Sequence, residues 1–157
     1  MINKMIAGIG RFFISLIFIT LGISGIFNWD IAKSELSSAL ANWELYTGYI
    51  EGVSFVIQNL ISASPLIVVL GIVIQLVGGF MLSLSLKSRL AAMLLLLQIV
   101  PATILYFHFW FLDGPQMTRN MILFIKNLSI IGGLLVVISS MAGDQAFEKP
   151  SKKAPQE

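Results

Sequence analysis

The sequence predicts an all-α integral membrane protein: a four-helix bundle with a long outer loop that contains short interfacial helices. Three observations carry this. Of the 157 residues, 57% are hydrophobic and only 11% are charged, and mean hydropathy is +0.89; soluble chains average about 25% charged. Four apolar stretches each reach the roughly 20 residues that a helix needs to cross a bilayer. Within each stretch, small and polar residues recur at helical spacing on one side, as helices packing together in lipid require.

The first span runs from Met5 to Phe27. Its flank "MINK" and the small residues of "GISG" resemble parts of a secretory signal. Arg11 interrupts the apolar stretch, however, and the stretch is long for a signal core, so the span is expected to be retained. The outer loop follows, from Asn28 to Ala63. Asn28 or Asp30 suits the cap of a short helix through Leu40, and the apolar run Val53 to Ile61 suits the membrane interface. Asp30, Glu35, Glu44 and Glu51 give the loop an acidic face. It reads either as a solvated amphipathic segment or as a lid over the outer mouth of the bundle.

The second span opens at Ser64-Pro65, a serine N-cap with proline at the first helical position, and ends near Leu86. The third runs from Leu90 to Phe111 and the fourth from Thr118 to Met141. Residues 1–141 thus form one transmembrane domain. Residues 142–157 are polar and contain proline, and are expected to be a disordered cytoplasmic tail. Trp29, Trp43 and Trp110 fall near the outer interface, where an aromatic belt explains them.

Orientation follows from the basic residues. With both termini in the cytoplasm, Lys4, Arg11, Lys87, Arg89, Lys149, Lys152 and Lys153 lie inside, and Lys33, Arg119 and Lys126 outside, seven of the ten Lys and Arg against three.

Helical projection, at about 100° per residue, collects the polar residues onto four faces. These are Gly8, Arg11, Ser15, Gly22 and Gly25 on span one, and Gly71, Gln75, Gly78 and Gly79 on span two. Span three contributes Ala91, Gln98, Ala102 and Leu105, and span four Lys126, Ser129, Gly133 and Ser140. All four faces are expected to look inward. By depth the polar residues form two layers. Arg11, Ser15, Gln75 and Gln98 make a candidate intramembrane cluster in the inner-to-middle layer. His108, Lys126, Asn127 and Tyr106 make a candidate ligand site in the outer half.

The plainer alternatives are specific. Gln75 and Gln98 suit interhelical hydrogen bonds, His108 an ordinary hydrogen-bonded place, and Lys126 a snorkelling lysine. Snorkelling leaves Asn127 unexplained, because it points about 100° away from Lys126. A lysine at the bilayer centre costs roughly 2.5–3.5 kcal/mol on insertion scales.

Several classes of chemistry are excluded. The chain has no cysteine and one histidine. Disulfides, thiol chemistry, cysteine-ligated clusters and a bis-histidine haem held by one chain are therefore absent, and no metal site is expected. No Asp or Glu lies in a predicted span, so a carboxylate proton wire is missing. The net charge of +2 gives no footprint for nucleic acid. "GYIEG" matches the glycine dimerisation pattern but sits in a polar loop. "NLS" at Asn127 spells a glycosylation sequon at an inaccessible depth.

Three pieces carry a family resemblance: "GRFFISLIFITLGISGIFN", "IVIQLVGGFMLSLSLKSRLAA" and "FIKNLSIIGGLLVV". With Arg11 and Arg89, they resemble the DoxX family of membrane proteins, which includes the small subunit type of thiosulfate:quinone oxidoreductase. The resemblance covers about Gly10 to Val137. It implies a four-helix bundle in the bacterial inner membrane. Gln75 departs from it, standing where that family usually has glutamate, and so lacks a titratable proton.

Three functions follow as expectations. The first is a quinone-linked membrane subunit of an oxidoreductase complex. His108, Lys126, Asn127 and Tyr106 would donate to the quinone, and a partner redox protein would supply electrons. The second is a noncatalytic assembly or scaffold protein packed on another membrane protein. The third is a small-solute or lipid-handling protein. Membrane lipid is a partner in each.

Overall fold

A computed structural model describes residues 2–50 and 52–147. Among the described residues the chain is helical, without strands. Its elements are α1 (Ile2–Phe27), α2 (Trp29–Thr47), α3 (Val53–Ser62), α4 (Ser64–Ser83), α5 (Ser88–Tyr106), a 3-10 turn (Phe109–Phe111) and α6 (Gly114–Phe147). Helices α1, α4, α5 and α6 are the four that are long and apolar enough to cross a membrane. The protein is an all-α, multi-pass membrane bundle. Because the four spans alternate in direction, α2 and α3 collect on one side, termed here the cap side. The short connection from α4 to α5 lies on the other, the turn side.

Glycines set the order of packing. A Cβ at Gly22 would come within 2.8 Å of Leu76, and one at Gly25 within 2.9 Å of Ile72, so α1 receives two side chains of α4. The favour is returned at Gly79, where a Cβ would meet Ile19 at 2.8 Å and the Ser15 carbonyl oxygen at 3.4 Å. Gly78 receives Leu95 of α5. Without a hydrophobic drive between helices in lipid, such close approach supplies much of the attraction. Helix α5 then packs along α6, while α6 touches α1 only slightly, with Ile14 against Gly133.

Two cores result. One joins all four spans through Phe18, Leu82, Ala91, Ala92, Leu95, Ile99, Leu134 and Val137. The other joins α2 and α3 to α4 through Leu36, Leu40, Ile57 and Val68, with Trp43, Leu105 and Tyr106 packed against it. The second core makes α2–α3 a lid on the bundle rather than a solvated segment. Ser37 Oγ donates to Ser64 Oγ at 3.3 Å, fixing the lid to the start of α4.

Boundaries differ from expectation in five places. The helix after Asn28 continues past Leu40 to Thr47, because Leu36, Ala39 and Leu40 are buried by the lid contact. Asn28 does not cap it; its amide donates back to the Ser24 carbonyl at 3.1 Å. Span two stops at Ser83 instead of Leu86, since a Schellman turn intervenes. Ser85 is left-handed (φ 56°), Leu86 N–H bonds the Met81 carbonyl and Ser85 N–H bonds that of Leu82. Span three ends as an α-helix at Tyr106, and span four starts at Gly114 rather than Thr118. Helix α6 also runs to Phe147, so residues 142–147, expected as tail, continue the helix. The rest of the expected tail, 148–157, and Glu51 of the acidic face lie outside the described residues.

Candidate functional site

The end of α5 organises the cap side. A helix leaves its last carbonyls without intrahelical partners. At Leu105 that oxygen accepts from Trp43 Nε1 at 3.1 Å and from His108 Nδ1 at 3.0 Å. With Nδ1 donating, the neutral imidazole keeps Nε2 as acceptor. His108 is buried, edge-on to Trp43 with centroids 6.0 Å apart. Tyr46 stacks on Phe111 at 4.3 Å and donates its hydroxyl to the Phe111 carbonyl at 3.2 Å. Phe109 and Trp110 meet Phe124 of α6 edge-on. Trp43 and His108 therefore act as side-chain caps inside an aromatic cluster that ties lid, α5 and α6 together. The sequence signal for this junction was weak: Trp43 read as one more interfacial tryptophan.

One turn deeper, Asn127 Nδ2 donates to Thr103 Oγ1 at 3.0 Å, and Thr103 donates to the Ile99 carbonyl at 2.6 Å. Asn127 thus links α6 to α5. Thr103, fully buried, is the partner that sequence reading missed; α5 offered no polar periodicity to mark it. Tyr106 is half-buried against the lid core. Lys126 is exposed beside Asn127, and no acceptor meets its ammonium among the described residues. Of the four candidate outer-site residues, His108 and Asn127 each have a donor engaged within the chain.

The inner group is strung along the bundle axis. Arg11 donates to the Ala7 carbonyl at 3.1 Å and to Ser88 Oγ at 3.5 Å, at the turn side. Ser15 is fully buried and donates to the Phe12 carbonyl. Gln75 sits at the level of Gly22. That is eleven residues beyond Arg11 on α1, or roughly 16 Å at 1.5 Å per residue, so the structure separates Arg11 from Gln75. Gln98 Nε2 donates to the Gly71 carbonyl at 3.1 Å. A Cβ at Gly71 would lie 3.1 Å from that nitrogen, so the glycine admits the amide. Gln98 Oε1 is buried without a partner.

The fourth inward face also changes. On α6 the residues packed inward are Asn127, Ile130, Leu134 and Val137, because α5 is its main neighbour. Lys126 and Ser129, expected inward, are exposed. Among the described residues, no group of three or more His, Cys, Asp or Glu is placed to hold a metal ion.

Comparison with known proteins bears on lineage. No curated protein and no solved structure matches the chain. The SURF4 family, a multi-pass membrane family, matches residues 53–154. This overturns the DoxX resemblance, two of whose three pieces lie inside the matched segment. Those pieces are apolar runs with paired glycines, and the structure accounts for Gly78 and Gly79 by helix contact, a need shared by unrelated membrane bundles. The match spans 154 − 53 + 1 = 102 of the 157 residues, and the chain belongs to the SURF4 family.

Proposed function

We propose that the chain is a noncatalytic membrane binding module, a capped four-span bundle that engages another membrane component. The observation that carries this reading is the disposition of polar groups. Ser15, Gln98, Thr103, His108 and Asn127 each direct a donor at an acceptor of the same chain. Catalysis needs an acid, base or nucleophile aimed at a space for the reacting atom, and these groups are aimed at the bundle itself. A quinone site built from His108, Lys126, Asn127 and Tyr106 has less support, because His108 Nδ1 and one N–H of Asn127 are already engaged by the Leu105 carbonyl and Thr103 Oγ1. The test is solvent extraction of the protein purified in mild detergent, with mass spectrometry of the extract. We expect no quinone near one per chain; a stoichiometric quinone would overturn the reading.

The charge bias supports cytoplasmic termini with the α2–α3 lid on the opposite side. Alkaline phosphatase fused near Ser37 should then be active in a bacterial host, and fused after Lys153 inactive. The reverse pattern would invert the topology.

A further inference from the structure

Helices α1 and α6 touch where Ile14 meets Gly133, and they leave a cleft on the cap side of that contact. Two turns from it, Leu21 of α1 is 51% exposed and Lys126 of α6 is exposed as well. Each lies within about 20° of the contact in projection. The cleft is closed at Ile14 and opens into the cap-side leaflet.

Its rim is cationic. Arg119 precedes Lys126 by seven residues, so it stands on the same stripe of α6, about 20° away in projection and roughly 10 Å nearer the helix start. Arg119 is exposed too. Neither wall offers an acid, since α1 and the span Gly114–Ser139 contain no Asp or Glu. Among the described residues the one ion pair joins Lys33 to Asp30.

The aromatic cluster marks the depth of this rim. Phe124 meets Phe109 and Trp110, and Asn127 meets Thr103, three residues before the end of α5. Tryptophans at the end of a span sit at headgroup level. Arg119 lies five residues, about 7.5 Å, on the water side of Phe124, and Lys126 two residues, about 3 Å, on the lipid side. Side chains lean towards the start of their helix, which for α6 is the cap side, so the lysine stem lifts its ammonium to the headgroups. The two cations bracket the level of a lipid phosphate.

We infer that the cleft between α1 and α6 binds an anionic phospholipid of the cap-side leaflet, with an acyl chain beside Leu21 and Ser129 and the phosphate between Arg119 and Lys126. Two cations draw the phosphate of any phospholipid but repel the choline of a zwitterionic head, so the site selects net negative charge. This deepens the binding-module reading by naming a ligand class, and rests on it.

The test uses the full chain with Ser129→Cys, its single cysteine, carrying a bimane label in phosphatidylcholine vesicles. Phosphatidylglycerol or phosphatidylcholine with brominated chains is added as quencher. We expect brominated phosphatidylglycerol to occupy the site about five- to thirtyfold more favourably, the range for one to two basic residues acting on an anionic head. Arg119→Gln and Lys126→Met should each lower the preference and together abolish it, while Arg89→Gln, exposed on the turn side, should leave it intact. Equal quenching by the two lipids, or a preference that the double variant retains, would overturn the inference. An equal loss in Arg89→Gln would assign the preference to overall charge and overturn it too. Should Lys126→Met not insert, Arg119→Gln alone decides: an unchanged preference would overturn the inference. Glycerol phosphate in the buffer should not compete; competition would assign the cations to a soluble phosphate and overturn the lipid site. Failure here leaves the binding-module reading standing, since that reading falls to a stoichiometric quinone.

Discussion

Gly79→Val should destabilise the bundle by about 3 kcal/mol, the upper part of the usual range for overpacking. The new side chain would meet Ile19 Cγ1 at 2.8 Å and, at 3.4 Å, the Ile19 nitrogen and Ser15 carbonyl oxygen. Backbone atoms cannot rotate aside, so α1 must move away from α4. That movement also pulls Leu76 and Ile72 out of the hollows at Gly22 and Gly25, in the most extensive interface of the bundle. Gly78→Ala should cost less, because the obstacle there is the flexible side chain of Leu95. Gly132→Ala is the control. It enters open space and should be neutral or stabilising by up to about 1 kcal/mol through helix propensity. Unfolding in mixed micelles, titrated with denaturing detergent, measures all three. Similar losses for Gly79→Val and Gly132→Ala would mean that close approach at Gly79 is not what holds α1 to α4.

Trp43→Ala should have the second large effect, detaching the lid at a cost of about 3–4 kcal/mol, in the lower part of the range for truncating a large aromatic. The indole contacts His108, Trp110 and Phe111 by its ring edges and faces and donates to the Leu105 carbonyl. Trp43→Phe should keep most of this packing and lose about 1 kcal/mol for the hydrogen bond, since His108 still serves the same oxygen. Hydrogen exchange in α2 should rise strongly in the alanine variant and slightly in the phenylalanine variant. Unchanged protection of α2 in Trp43→Ala would show that Leu36, Leu40 and Ile57 hold the lid without the aromatic cluster.

The parts of this fold that rest on one helix were legible in the sequence. Span length and hydropathy located all four crossings, and helical projection put Ser15, Gly22, Gly78, Gly79 and Ala91 on buried faces. What depended on neighbours was not. The inward face of α6 was misplaced by about 100°, from Lys126 to Asn127, because projection cannot say that α5 is the main neighbour and that α1 stands apart. Depth arguments grouped Arg11 with Gln75 and Gln98, whereas the structure pairs Arg11 with Ser88 on the turn side. Leu105 was invisible as a site because its carbonyl, not its side chain, receives Trp43 and His108. The lid could not be told from a solvated segment without the α4 and α5 surfaces that cover Leu36 and Leu40. Family assignment failed for a related reason: paired glycines in apolar runs report close helix packing, and many lineages need that.

Nitroxide labels placed singly along α6, with collisional access to oxygen measured in phosphatidylcholine vesicles, test the division of that helix most directly. Labels at Ile122, Ser129, Gly132 and Val136 should be accessible, and labels at Asn127, Leu134 and Val137 shielded, with a period near 3.6 residues. Low access at 129 and 132 would mean that α6 is closed on both sides and offers no face to a partner.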